Sequence, residues 1–135
     1  EEKERRTVTD KLRAIPPMLP ALMRAEKVGK KASCFDFPDA ESVMSKVYEE
    51  LDELKEAMAE GDKENITEEM GDLLLSITSL CRKLGVESEV ALGAATNKFI
   101  DRFDAVEQAV IAEGKEMGEL TLEELDAIWD KNKKK

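Results

Sequence analysis

Histidine is absent from the chain, and cysteine occurs only twice, at Cys34 and Cys81. The missing histidine excludes His-centred zinc sites, Ser-His-Asp triads and Cys-His pairs. Two isolated cysteines do not make a disulfide scaffold. Cys81 falls within a helical apolar pattern and reads as a small core residue. Aromatic residues are also scarce, at 4%. The core must therefore rest on Leu, Ile, Val, Met and Ala, which suits helices better than a β-sandwich. No apolar run approaches the ~20 residues of a membrane span, and no signal-peptide pattern opens the chain. The expectation is a soluble cytoplasmic protein with no membrane partner.

What the sequence has in excess is negative charge. Its 31 acidic residues against 21 basic ones give a formal charge of −10. Such a chain repels nucleic acid unless it carries a local basic patch, so no nucleic-acid partner is expected. The "KNKKK" ending is the tightest basic run and reads as a solvated tail. An apolar content of 41% argues against wholesale disorder, and 135 residues suffice for one domain with a modest core.

Residues 1–16 read as a charged N-terminal extension and 17–135 as the domain. "PPMLP" breaks regular structure and predicts an extended approach. A short helix follows, roughly Ala21 to Ala32, then the connection "SCFDFPDAES", whose two aromatics are expected to form a lid or core cap. Three long helices come next. They run from about Asp39 or Ser42 to Glu60, from Lys63 to Leu84, and from Ser88 to Glu113, stopped by Gly61, Gly85 and Gly114. Thr121 with Glu124 forms a capping box for a last helix. No long alternating pattern predicts a strand, so the fold class is all-α. Short linkers predict antiparallel neighbours, and the apolar faces exceed what five such helices can cover, which predicts a dimer.

The stretch "KVYEELDELKEAMAEGDKENITEEMGDLL" carries two acidic clusters. At about 100° per residue, Val43, Val47, Leu51, Leu54 and Met58 form one core stripe, with Glu50 and Glu53 roughly 60° and 120° to its side. Ile66, Met70, Leu73, Ile77, Leu80 and Leu84 form the next helix's stripe, flanked on the same side by Glu69 and Asp72. Glu49, Asp52 and Glu68 point away. Antiparallel packing of the two helices can bring Glu50, Glu53, Glu69 and Asp72 together. Four carboxylates in one groove repel one another until a proton or a cation intervenes. Hard oxygen ligands suit Mg2+ or Mn2+. Alternatively, each Glu-x-x-Glu is an ordinary solvated helix pattern. Gly71 inside the acidic helix fits either a special site or close helix packing.

Basic residues offer possible phosphate contacts. Leu92, Phe99, Phe103, Val106 and Val110 form the apolar stripe of the following helix, with Lys98 and Arg102 one turn apart beside it. They can meet phosphate or pair with glutamates of their own helix. Asn97 points elsewhere on the wheel. Lys27 and Lys31 share a face of the first helix, which can flank a polyphosphate or simply be solvated.

Taken with "IPPMLPALMRAEKVGKKA", "EEMGDLLLSITSLCRKLG" and "ALGAATNKFIDRF", these motifs resemble the MazG family of nucleoside triphosphate pyrophosphohydrolases, most closely the C-terminal domain of two-domain bacterial members. The resemblance covers nearly all the chain after about residue 12. It implies a helical bundle completed by homodimerisation and Mg2+-dependent hydrolysis of a nucleoside triphosphate to monophosphate and pyrophosphate. It implies Glu50, Glu53, Glu69 and Asp72 as metal ligands. It further implies phosphate or nucleotide contacts from Asn97, Lys98 and Arg102, with Lys27 and Lys31 as further basic positions.

The chain departs from its relatives at Gly29, where glutamine is common, and at "CFDF" in place of "VGFDW". The departures leave a dUTP- or dCTP-selective hydrolase, or a non-catalytic regulatory dimerisation domain, as alternatives.

Overall fold

A computed structural model of the protein describes residues 7–133. Six α-helices run through it: α1 Val8–Arg13, α2 Ala21–Lys31, α3 Ala40–Glu60, α4 Lys63–Lys83, α5 Ser88–Ala112 and α6 Leu122–Lys133. Short 3-10 turns lie at Ser33–Phe35 and Met117–Glu119, and no strand occurs among the described residues. The fold is all-α. Residues 1–6 of the N-terminal extension and Lys134–Lys135 of the basic tail lie outside the described residues.

The helix boundaries follow their caps. Asp39 accepts a hydrogen bond from the Ser42 N–H at 2.8 Å to start α3, and Gly61 ends it in the left-handed conformation at φ 72°. Asp62 then caps α4 through the Glu64 and Asn65 N–H groups. Two helices with one glycine and one cap between them must fold back on each other, and α3 and α4 pack as an antiparallel hairpin. The Thr121–Glu124 capping box opens α6.

The stretch "PPMLP" holds no helix, as expected, but the charged segment before it does. Thr7 and Asp10 form a reciprocal capping box, α1 follows, and Ile15 is buried. The box was present in the sequence, but the helix is too short to show a period. The helix α1 packs on α2, and α2 packs on α4. Glu26 of α2 accepts hydrogen bonds from the backbone N–H and hydroxyl of Ser88, capping the start of α5 from another helix.

Two compact units divide the chain, Glu1–Ala91 and Leu92–Lys135. In the first, Val43, Leu54, Ala57 and Leu73 are buried. The apolar stripes differ from the wheel reading: Leu51, Met58, Met70, Ile77 and Leu84 are exposed, while Glu50, Ser76 and Thr78 are buried. The hairpin's contact face is rotated toward smaller side chains. Ser76 and Thr78 satisfy their hydroxyls on the Leu73 and Leu75 carbonyls, each at 2.7 Å, so burying them costs little. In the second unit Val106 and Val110 are buried, whereas Leu92, Phe99 and Phe103 are exposed. Phe99 lies 5.3 Å from Trp129 and 6.2 Å from Phe103, centroid to centroid.

Candidate metal centre

The α3/α4 hairpin brings Glu50, Glu69 and Asp72 together, with one carboxylate oxygen from each lying within 4.8 Å of the others. The helical register explains the meeting. Glu69 and Asp72 stand three residues apart on one side of α4. Glu50 faces them from the middle of α3, buried to 5% exposure. Glu53, one turn further along α3, is outside this triplet but adjoins it. Its hydrogen bond to Glu69 and the charge of Glu50 raise its pKa. Glu49, Asp52 and Glu68 are exposed and take no part.

Glu50 is only half compensated. Lys46 Nζ lies 2.9 Å from its Oε1. Its Oε2 is buried without a hydrogen-bond partner, and so is Oε2 of Glu69. A buried, unpartnered carboxylate oxygen costs on the order of 1–3 kcal/mol, and two of them here belong to the same cluster. The i,i+4 spacing of Lys46 to Glu50 is legible in the sequence, but the burial of Glu50 that gives the pair its weight is not. Gly71, beside Asp72, has open space: a Cβ there would meet nothing within 4 Å. Close helix packing within the chain therefore does not explain this glycine.

The basic candidates lie on other elements. Lys27 and Lys31 line a concavity of about 660 Å³ with Lys11, Lys30, Ile15 and Leu19, and none of the four carboxylates lines it. Asn97 and Lys98 are exposed on α5 and Arg102 is half-buried, all in the second unit. Among the described residues, neither Lys98 nor Arg102 has a carboxylate at ion-pair distance, so of the two readings the pairing along their own helix is not made.

Residues 38–107, which span the hairpin and most of α5, match the MazG nucleotide pyrophosphohydrolase domain. The chain is 45% identical over 121 residues to the nucleoside triphosphate pyrophosphohydrolase/pyrophosphatase MazG of Thermotoga maritima, covering 88% of this chain and 46% of that protein. It is 41% identical over 138 residues to the nucleoside triphosphate pyrophosphohydrolase of Escherichia coli K12, covering 99% and 52%. A shorter match, 35% over 69 residues, joins it to the uncharacterized protein YabN of Bacillus subtilis, covering 51% of this chain and 14% of that protein. The chain belongs to the MazG family. It spans about half the length of the first two relatives.

Proposed function

We propose that the protein hydrolyses nucleoside triphosphates to nucleoside monophosphate and pyrophosphate, using a divalent cation held between α3 and α4. The observation that carries this reading is the Glu50–Glu69–Asp72 triplet with its two unpartnered buried oxygens. The donor set fits Mg2+, with Mn2+ as a substitute, because it is all carboxylate oxygen and draws on side chains fixed by two packed helices. When bound, the cation supplies charge neutralisation for the polyphosphate and polarisation of its phosphoryl oxygens.

The chain's own residues do the rest. Glu50, Glu69 and Asp72 hold the cation. Glu53, beside them and half-exposed, is the carboxylate we assign to orient a water and accept its proton as the oxygen bonds to the α-phosphorus. The bond from that phosphorus to the bridging oxygen breaks, and pyrophosphate leaves with the electron pair. Lys98 and Arg102, with Asn97, serve the phosphates and the nucleotide. Lys27 and Lys31 are further phosphate candidates in a separate concavity.

We also propose a homodimer in the cytoplasm. Its support is the apolar surface the single chain leaves uncovered: Leu74 and Leu75 on α4 are 50% and 52% exposed, and Phe99 and Ile100 on α5 are 55% and 56% exposed.

A panel of NTPs and dNTPs, assayed for pyrophosphate and monophosphate with Mg2+ and with EDTA, tests the chemistry. Pyrophosphate release that needs Mg2+ is the expected result, and the ranking shows whether dUTP or dCTP is favoured. Orthophosphate as first product would mean a different bond is cut. No turnover by a folded dimer, with no Mg2+ protection against unfolding, would favour a regulatory dimerisation domain.

A further inference from the structure

The segment between α2 and α3 is gripped at Asp36. Arg82 Nη2 donates to Asp36 Oδ1 at 3.1 Å, and Lys83 Nζ lies 3.1 Å from Oδ2. Each carboxylate oxygen thus has its own cation from the last turn of α4. The Arg82, Lys83 and Asp36 side chains are 19%, 22% and 23% exposed, so the pairs are partly shielded from water. Oδ1 also accepts the Phe37 N–H at 3.1 Å, which extends the grip to the backbone of an aromatic residue.

The guanidinium of Arg82 also rests on α2 at Gly29. A Cβ built there would fall 2.9 Å from Arg82 Cζ and 3.2 Å from Nη2, and nearer still to Nη1. Gly29 is not among the glycines with positive φ, so its backbone does not demand glycine. The guanidinium in its present seat leaves no room for a Cβ, so alanine there would make the end of Arg82 shift. Nη1 is buried there without a hydrogen-bond partner, so shape alone holds that side of the group.

The gripped segment presents aromatic surface. Phe35 is 89% exposed, and Phe37 is half-buried. Asp36 lies just before α3, and Glu50 is ten residues beyond Ala40 along that helix; Arg82 is ten residues beyond Asp72 on α4. At 1.5 Å per residue, the grip sits on the order of 15 Å from the carboxylates, at the open end of the hairpin. That is too far to touch reacting phosphates. It suits the other end of a nucleotide, where aromatic faces stack on bases.

We propose that Gly29, Arg82, Lys83 and Asp36 form a clasp that fixes the Phe35–Phe37 segment as the base-selecting wall of the site. Arg82 and Asp36 are positioning residues in this account, which rests on the pyrophosphohydrolase reading.

Cys34 supplies a reporter. Its thiol is exposed within the segment, whereas Cys81 is half-buried and burial raises its pKa, so a thiol-reactive dye at neutral pH goes to Cys34. Gly29→Ala, Arg82→Gln and Asp36→Asn should each lower the dye's anisotropy with helix content unchanged. In unlabelled protein they should weaken binding of a non-hydrolysable NTP carrying the preferred base about three- to tenfold, the size of one aromatic stack. The preference between best and worst bases should shrink, with kcat within about twofold. Asp36→Glu, which keeps the charge, should restore part of both effects. Gly29→Ala is decisive because alanine favours the helix, so its loosening of the segment cannot come from a weakened fold. Unchanged anisotropy in Gly29→Ala and Arg82→Gln would overturn the clasp. Loosening without any change in base preference, or no analogue binding by the parent, would overturn its role in selection. If the parent binds the analogue but hydrolyses nothing, the hydrolase reading fails while the anisotropy and affinity ratios still decide the clasp.

Discussion

At the scale of single residues, the acidic triplet concentrates a cost that a cation would relieve. Lys46 already offsets part of it through Glu50, and that bond raises the lysine's own pKa. Lys46→Met should therefore destabilise the cation-free protein. The lysine side chain is 37% exposed, so the loss should lie between that of an exposed pair and a fully buried one, about 1–3 kcal/mol. Added Mg2+ should recover much of it in a thermal melt, and a loss equal with and without Mg2+ would contradict the account.

Glu53 gives a second residue-level prediction. Its folded pKa is raised by the bond to Glu69 and the charge of Glu50. A carboxylate raised in this way favours folding below its unfolded pKa and loses that contribution as pH rises through the folded value. Cation-free protein should thus gain stability as pH falls through the Glu53 pKa, and Mg2+ should flatten the trend. Asp36 runs the other way. Lys83 and Arg82 depress its pKa, so its contribution holds at neutral pH and fades only in acid, as pH falls through that lowered value. Melts against pH with EDTA and with Mg2+ separate the two, since only the Glu53 trend should respond to the ion.

At the scale of elements, the caps were legible and the contact faces only in part: Val43, Leu54, Leu73, Val106 and Val110 lie on the expected stripes and are buried, while other stripe residues are exposed. Gly61, Gly85 and Gly114 do end or follow helices at positive φ, and the capping box at Thr121 is formed. These signals are local, so sequence alone carries them. Which face of α3 and α4 turns inward depends on the partner helix. The wheel therefore put Leu51 and Met70 in the core, where the hairpin instead buries Ala57, Ser76 and Thr78. The acidic flanks were legible because two i,i+3 pairs face each other across a short turn. The Arg82–Asp36 bridge was not, since it joins residues 46 positions apart. At Gly29 the sequence shows only a departure from relatives, because the seat is made by a residue of another helix. Gly71 allows a test at this scale. With open space around it, Gly71→Ala should stabilise the fold by about 0.5–1 kcal/mol. An accompanying loss of turnover would mean that the glycine's space serves the site or a second chain, and a drop in stability would contradict the open space seen here.

At the scale of the whole molecule, a strongly acidic chain keeps large apolar side chains in water on α4 and α5. Exposed apolar patches of this kind mark association surfaces. The protein should run as a dimer at micromolar concentration in light scattering, and Leu75→Lys should shift it toward monomer. A monomeric parent would remove the dimer from the account. No helix among the described residues is long and apolar enough to cross a membrane.

The central claim, that the carboxylates between α3 and α4 carry the chemistry, is tested most directly by one rate: pyrophosphate release by Asp72→Asn under saturating Mg2+, beside the parent. Asp72 is exposed, so the variant should fold and keep the parent's oligomeric state. Losing even an outer partner of a metal ligand costs about 10–100-fold, so losing a ligand should lower the rate by at least about 100-fold. A variant that releases pyrophosphate at the parent's rate would contradict the assignment of this cluster as the catalytic centre.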